Sequence, residues 1–163
     1  MTDAYLFWKT AHIISAAILF GTGLGIAFFA WFGYERALRT ASIDGLRIVL
    51  YLTVIGDAVF TAPAVVFQAL SGFVLLRLDA WPLTSTWSLT VLGLFIFVGL
   101  LWLPVVAIQI VLSREARRAA SIGNLSVRFH RQFVLWFVLG IPAFIAVVFI
   151  FYLMVAKPLS VTD

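Results

Sequence analysis

The sequence predicts an all-α fold: a polytopic membrane protein built as one bundle of four transmembrane helices. Three observations carry this. Four apolar runs each reach the roughly 20 residues that a helix needs to cross a bilayer. Hydrophobic residues make up 64% of the 163-residue chain and charged residues only 11%, whereas a soluble domain is about a quarter charged. Most of the arginines also sit between the runs, where a bilayer tolerates them best. A single domain is expected at this length.

The first run, 5–33, follows Asp3 and is apolar without a charge from Ala11 to Gly33, after Lys9. It is longer than the roughly 7–15 apolar residues of a secretory signal, so it reads as a mature span. Ala17, Gly21 and Gly25 recur in it every four residues, a spacing that lets a neighbouring backbone approach closely. The second run, 46–78, is longer than one crossing requires, and its opening, 46–56 with Arg47, is expected to lie partly in the interface. The third and fourth runs are 88–113 and 133–156. Pro63, Pro104 and Pro142 each interrupt a run, removing a backbone donor and bending the helix. Polar connections fall at 34–45, 79–87 and 114–132.

Orientation follows from the basic residues of short loops. The first and third connections, with their flanks, hold eight arginines: Arg36, Arg39, Arg47, Arg114, Arg117, Arg118, Arg128 and Arg131. The opposite side holds three basic residues, Lys9, Arg77 and Lys157. The arginine-rich loops are therefore expected in the cytoplasm and both termini outside it. Trp8, Trp81 and Trp87 would then form an outer aromatic belt. The net charge of +4 is explained by this topology, so the expected partner is the lipid bilayer and not nucleic acid. The chain has no cysteine, which removes disulfides, thiolate metal sites and thiol nucleophiles. No nucleophilic triad, phosphate loop or carboxylate pair is present.

Polar side chains inside a span are costly and face the bundle interior or trapped water. On the second helix, Thr53, Asp57, Thr61, Gln68, Ser71 and Gly72 share one face at 100° per residue. Gln109 of the third run lies at the depth of Asp57. A buried carboxylate needs a partner, and Arg128 or Arg131, entering the fourth run, is expected to supply it. A proton-relay or substrate-binding Asp57 is the alternative. His12 lies about two turns inside the first run. Lys9 is three residues earlier, and Gln68 and Met154 approach the same depth. Neutral imidazole is a common metal and haem ligand, and it is equally a hydrogen-bonded packing residue. His130, in the run Arg128-Phe129-His130-Arg131, is expected among lipid headgroups, too far from His12 to share a metal.

The run Lys9-Thr10-Ala11-His12 leading into Gly21-Thr22-Gly23-Leu24-Gly25 resembles the family called domain of unknown function 2269. So do Phe60-Thr61-Ala62-Pro63-Ala64, Trp102-Leu103-Pro104-Val105-Val106 and Leu153-Met154-Val155-Ala156-Lys157-Pro158. The resemblance covers all four runs in order and implies a bacterial inner-membrane protein of unassigned activity. A fainter likeness is to the HemJ-type protoporphyrinogen oxidases, also four-helix membrane proteins. Their opening Lys-x-x-His is matched by Lys9 and His12. The outline of their last helix is matched by Arg128, Phe129, Arg131, Pro142, Lys157 and Pro158. That family is thought to bind b-type haem through its membrane histidine. Gly140-Ile141 replaces the acidic residue before its inner proline, and the middle spans follow the first family. These departures argue against the oxidase activity and leave haem binding.

The expected function is accordingly binding of haem b or a porphyrin, with a redox role. His12 would be an axial ligand to the haem iron, with Gln68 and Met154 beside it. Lys9 and Lys157 would pair with the propionates. A second expectation is a small carrier or proton-coupled transporter drawing on Asp57, Thr61, Gln68 and Gln109. It would act as a homodimer through the Ala17-Gly21-Gly25 face. A third is a non-catalytic subunit or scaffold of a larger membrane complex.

Overall fold

In the computed structural model, which describes residues 3–156, each apolar run forms helix. The elements are α1 (Asp3–Thr40), α2 (Asp44–Gly56), a π-helical turn (Asp57–Thr61), α3 (Ala62–Leu78), α4 (Thr86–Ile122) and α5 (Val127–Ala156). The fold is all-α, and four stretches are long and apolar enough to cross a membrane: α1, Asp44–Leu78, α4 and α5.

The helices outrun the expected spans at the arginine-rich end. At 1.5 Å rise per residue, α1 with its 38 residues is about 57 Å long, against about 30 Å of hydrocarbon. The connections extend the helices because they are rich in Ala, Arg and Glu, which are good helix formers. Glu35 and Arg39 add an ion pair one turn apart. At the far end of α4 the stop is Gly123. Its φ of 81° is open to glycine at no steric cost, and its N–H reaches the Ala119 carbonyl at 2.8 Å.

The second span is one continuous helix with a widened turn in the middle. Pro63 has no N–H to donate, and its ring crowds the carbonyl one turn back. The chain answers with the π turn just before it, in which Ala62 N–H bonds to the Asp57 carbonyl five residues earlier. The opening of this span is packed inside the bundle. Leu46 and Leu50 are buried, because α2 packs between α1 and α4.

The spans form a closed ring. α1 packs along the second span, α2 against α4, and α4 along α5. α5 returns to α1 through aromatic stacks: Tyr34–Phe133 at 4.1 Å, Trp31–Phe137 at 4.9 Å and Phe20–Phe144 at 4.7 Å. The apolar core sits in the arginine-rich half. It comprises Ala30, Ala37, Leu46, Leu50, Leu112, Ala116, Phe129, Phe133 and Trp136.

Two packing expectations are corrected. The Ala17-Gly21-Gly25 stripe touches no neighbouring helix closely: a Cβ at Gly21 or Gly25 would meet nothing within 4 Å. A Cβ would instead meet a neighbouring helix at Gly56, 3.5 Å from Ile26, and at Gly33, 3.5 Å from Val49. Trp87 is not a lipid-facing belt residue either. It is buried and donates its indole N–H to the Leu153 carbonyl at 2.9 Å, one of the last four carbonyls of α5, which lack helical partners. The connection between α3 and α4 is closed by Ser85. Its hydroxyl accepts from Ser88 N–H and from the Trp81 indole and so caps α4.

Candidate functional site

Polar side chains inside the bundle gather on either side of the π turn. Toward the arginine-rich end, the buried Asp57 carboxyl accepts from Gln109 Nε2 at 2.7 Å. Gln109 Oε1 in turn accepts from Trp136 Nε1 at 3.2 Å. An indole can only donate, so it fixes which end of the amide faces Asp57. The three residues tie the second span to α4 and α5.

The arginine partner expected for Asp57 is therefore corrected to a neutral amide. Arg128 lies against Glu115, Nε to Oε1 at 3.6 Å, and Arg131 forms no ion pair among the described residues. Both arginines are exposed at the start of α5. Drawing a guanidinium inward would cost its hydration, a penalty that often exceeds the gain from pairing. His130 has a protein partner. It is partly buried, with Nδ1 at 2.6 Å from the Tyr34 hydroxyl, and so belongs to the aromatic packing.

Toward the terminal end lies His12. Its Nδ1 is 2.7 Å from Ser71 Oγ, and the Ser71 hydroxyl also sits 2.6 Å from the Phe67 carbonyl. A hydroxyl has one proton to give. The carbonyl can only accept, so the serine donates to Phe67 and accepts from His12 Nδ1–H. That selects the tautomer whose Nε2 carries a lone pair. Among the described residues no hydrogen bond involves Nε2. Gln68 Nε2 donates to the His12 carbonyl at 2.7 Å, and Ser15 reaches the Ala64 carbonyl at 3.4 Å, so α1 is pinned to α3 here. The close fit extends to Gly72, where a Cβ would meet His12 Cε1 at 3.5 Å.

The remaining expected site residues are placed less closely. Lys9 is exposed one turn before His12, its ammonium 5.5 Å from the Tyr5 ring centroid. Met154 is partly buried near the end of α5, and no hydrogen bond joins it to His12. Lys157 lies outside the described residues.

Between the two clusters the helices part. α2 packs against α4, but beyond the π turn the second span stays with α1 and separates from α4. A cavity of about 100 Å³ opens there, lined by residues that include Thr61, Gln68, Phe95, Trp102 and Phe151. Two of its polar groups have spare capacity. Trp102 Nε1 is buried without a partner. Thr61 Oγ1 approaches the Asp57 carboxyl without reaching full hydrogen-bond geometry. Among the described residues no group of three or more His, Cys, Asp or Glu side chains could hold a metal ion.

Ser71, Trp102, Trp136 and Tyr34 are the residues the sequence reading did not assign to a site. Ser71 was within reach of it, lying on the polar face of the second helix. The others are aromatic side chains whose polar atom shows only once a partner is in place.

No curated protein and no solved structure matches the chain. A family model does match residues 6–158, under the description predicted integral membrane protein (DUF2269). The chain thus belongs to the DUF2269 family of integral membrane proteins, a multi-pass protein whose activity is unassigned.

Proposed function

We propose that this protein binds b-type haem at its terminal end, with His12 Nε2 as an axial ligand. The carrying observation is the placement of Ser71 between His12 Nδ1 and the Phe67 carbonyl, which selects the tautomer. Ser71 accepts a hydrogen bond from Nδ1–H, which leaves the lone pair on Nε2, the arrangement in which a second hydrogen bond orients a ligating histidine and raises its basicity. The Lys-x-x-His likeness of Lys9 and His12 to a haem-binding family supports the same reading. So does the placement of Lys9, exposed and one turn away, where an ammonium can meet a propionate.

The fit has two sides. The donor fits one axial position. The cavity of about 100 Å³ is smaller than the roughly 300–1,000 Å³ of small-molecule pockets, so it does not take a macrocycle. The proposal therefore sets the ring against the lipid-facing surface beside His12, where Ile13 and Ile14 are 57% and 56% exposed. A second copy or a larger membrane complex would cover its other face. Bound haem would supply one-electron chemistry. The chain's own part is to fix the imidazole through Ser71 and hold α1 through Gln68.

We place the protein in a bacterial inner membrane, with the arginine-rich end in the cytoplasm and both termini outside. A reporter active only outside the cytoplasm should work when fused after Asp163, and activity from a fusion at Ser121 would reverse the orientation. The haem proposal is tested by the dithionite-reduced-minus-oxidised spectrum of protein produced with ample haem. Sharp α and Soret bands are expected, and their absence rejects haem.

A second reading, proton-coupled transport, draws on one observation: the unpartnered Thr61 and Trp102 groups face a cavity next to Asp57. Intramembrane acids of this kind serve as proton relays. Uptake of protons by liposomes holding the protein, abolished by Asp57→Asn, would favour it.

A further inference from the structure

The arginine-rich end carries a second feature, separate from His12 and from the Asp57 network. Between α2 and α4 lies an open groove of about 820 Å³ whose walls include Arg47, Arg114, Arg117 and Arg118. Three of these, Arg114, Arg117 and Arg118, form no ion pair among the described residues. Arg47 approaches the exposed Asp44 at 3.5 Å through one terminal nitrogen. Its Nε is buried in the protein without a hydrogen-bond partner. Glu115, the other acid nearby, lies against Arg128. Four guanidiniums thus meet one carboxylate at the rim.

A bias of arginines toward one side of the membrane needs no ligand, and Arg36 and Arg39 illustrate it on the exposed end of α1. The groove differs in three respects. Its cations converge from two helices, Arg47 from α2 and the other three from α4. One of them carries an unsatisfied, inward N–H. And the groove continues into apolar wall, with Ile48, Val54 and Ile110 lining it together with Tyr51. A charged mouth with an apolar continuation matches a phosphodiester carrying an acyl chain. Guanidinium is suited to phosphate through paired N–H donors.

We propose that this groove is a binding site for an anionic phospholipid, its phosphate among the four arginines and an acyl chain along Ile48, Val54 and Ile110. Basic pockets between transmembrane helices suit such headgroups. The site would hold a structural lipid where α2 meets α4.

The test is native mass spectrometry of the full chain in a neutral detergent, with dioleoylphosphatidylglycerol and dioleoylphosphatidylcholine supplied at equal concentration. Retention of the anionic lipid should exceed that of the zwitterionic one by about tenfold or more. R114Q/R117Q, both at exposed side chains, should abolish the preference. R36Q/R39Q removes the same charge away from the groove and should keep it. A parallel arm measures the thermal shift given by inorganic phosphate alone at the same concentration. Equal retention of the two lipids overturns the proposal, as does equal loss in the two double variants. A thermal shift from phosphate matching that from the anionic lipid also overturns it, in favour of a free-phosphate site.

Discussion

The two halves of the bundle, divided by the π turn, are built on different terms. In the arginine-rich half, large side chains fill the interior: Leu46, Leu50, Leu112, Phe129 and Phe133 are each at most 1% exposed. At its centre the polar groups satisfy one another, with Asp57, Gln109 and Trp136 linked in series, while Arg47 Nε, Glu115 Oε2 and Gln132 Oε1 are left without a hydrogen-bond partner. In the terminal half the buried residues are mostly small or polar, such as Ser15, Ala64, Ser71, Ser88 and Ala146. There the polar groups keep spare capacity at His12 Nε2 and Trp102 Nε1. Lipid tails are as apolar as leucine, so helices in a bilayer are held by packing and interhelical hydrogen bonds. One half maximises packing and closes a hydrogen-bonded chain through its core. The other gives up packing and retains unspent hydrogen-bonding groups, the usual mark of a site in place of a scaffold.

The largest effect that could break this contrast is a cavity in the dense half. Phe133→Ala should cost about 3–5 kcal/mol, read as a fall in the unfolding temperature of the detergent-solubilised protein. Phe95→Ala, beside the existing cavity, should cost less than half as much. Equal losses would mean that the two halves are packed alike.

The next effect probes the saturated network. Gln109→Leu strands both the Asp57 carboxyl and the Trp136 indole, at about 1–3 kcal/mol for each group left unsatisfied. Asp57→Leu combined with Gln109→Leu should recover part of that loss, because the most costly orphan is then gone. Strictly additive losses would contradict the coupling.

The smallest effect sharpens the comparison on two threonines. Thr53 donates to the Val49 carbonyl at 2.9 Å, whereas Thr61 has no completed bond. Replacing a hydroxyl by a methyl of the same shape relieves an orphan group. Thr61→Val should therefore be neutral or stabilising by up to about 1 kcal/mol, and Thr53→Val neutral or mildly destabilising. Thermal unfolding again reads the order, and a reversed order would remove Thr61 from the group with spare capacity.

How far the sequence carried depended on whether a feature was periodic or relational. The spans follow from length and hydropathy, and the polar face of the second helix follows from angular spacing alone. The partner of Asp57 is a relation between helices. Charge complementarity pointed to Arg128 or Arg131, while desolvation favours a neutral amide, and Gln109 supplies it. Pro63 signals a disturbed helix, but a proline by itself does not distinguish a kink from a π turn. The Ala17-Gly21-Gly25 spacing marks a smooth face without saying what it meets, and in this chain it meets no other span closely. The arginine-rich connections carry helix-forming side chains, so hydropathy set the edge of the membrane there and not the end of the helix.

The central claim is that the loosely packed half is the functional one and that His12 Nε2 is its working atom. Ser71→Ala frees the imidazole and should weaken haem binding about 10–100-fold. The most direct measurement is the Soret absorbance per protein of His12→Ala beside His130→Ala, both produced with ample haem. His130 sits in the dense half, its Nδ1 engaged with the Tyr34 hydroxyl. The account predicts that His12→Ala loses the band and that His130→Ala keeps it. Loss of the band in His130→Ala with retention in His12→Ala would contradict it, placing the haem at the opposite end of the bundle.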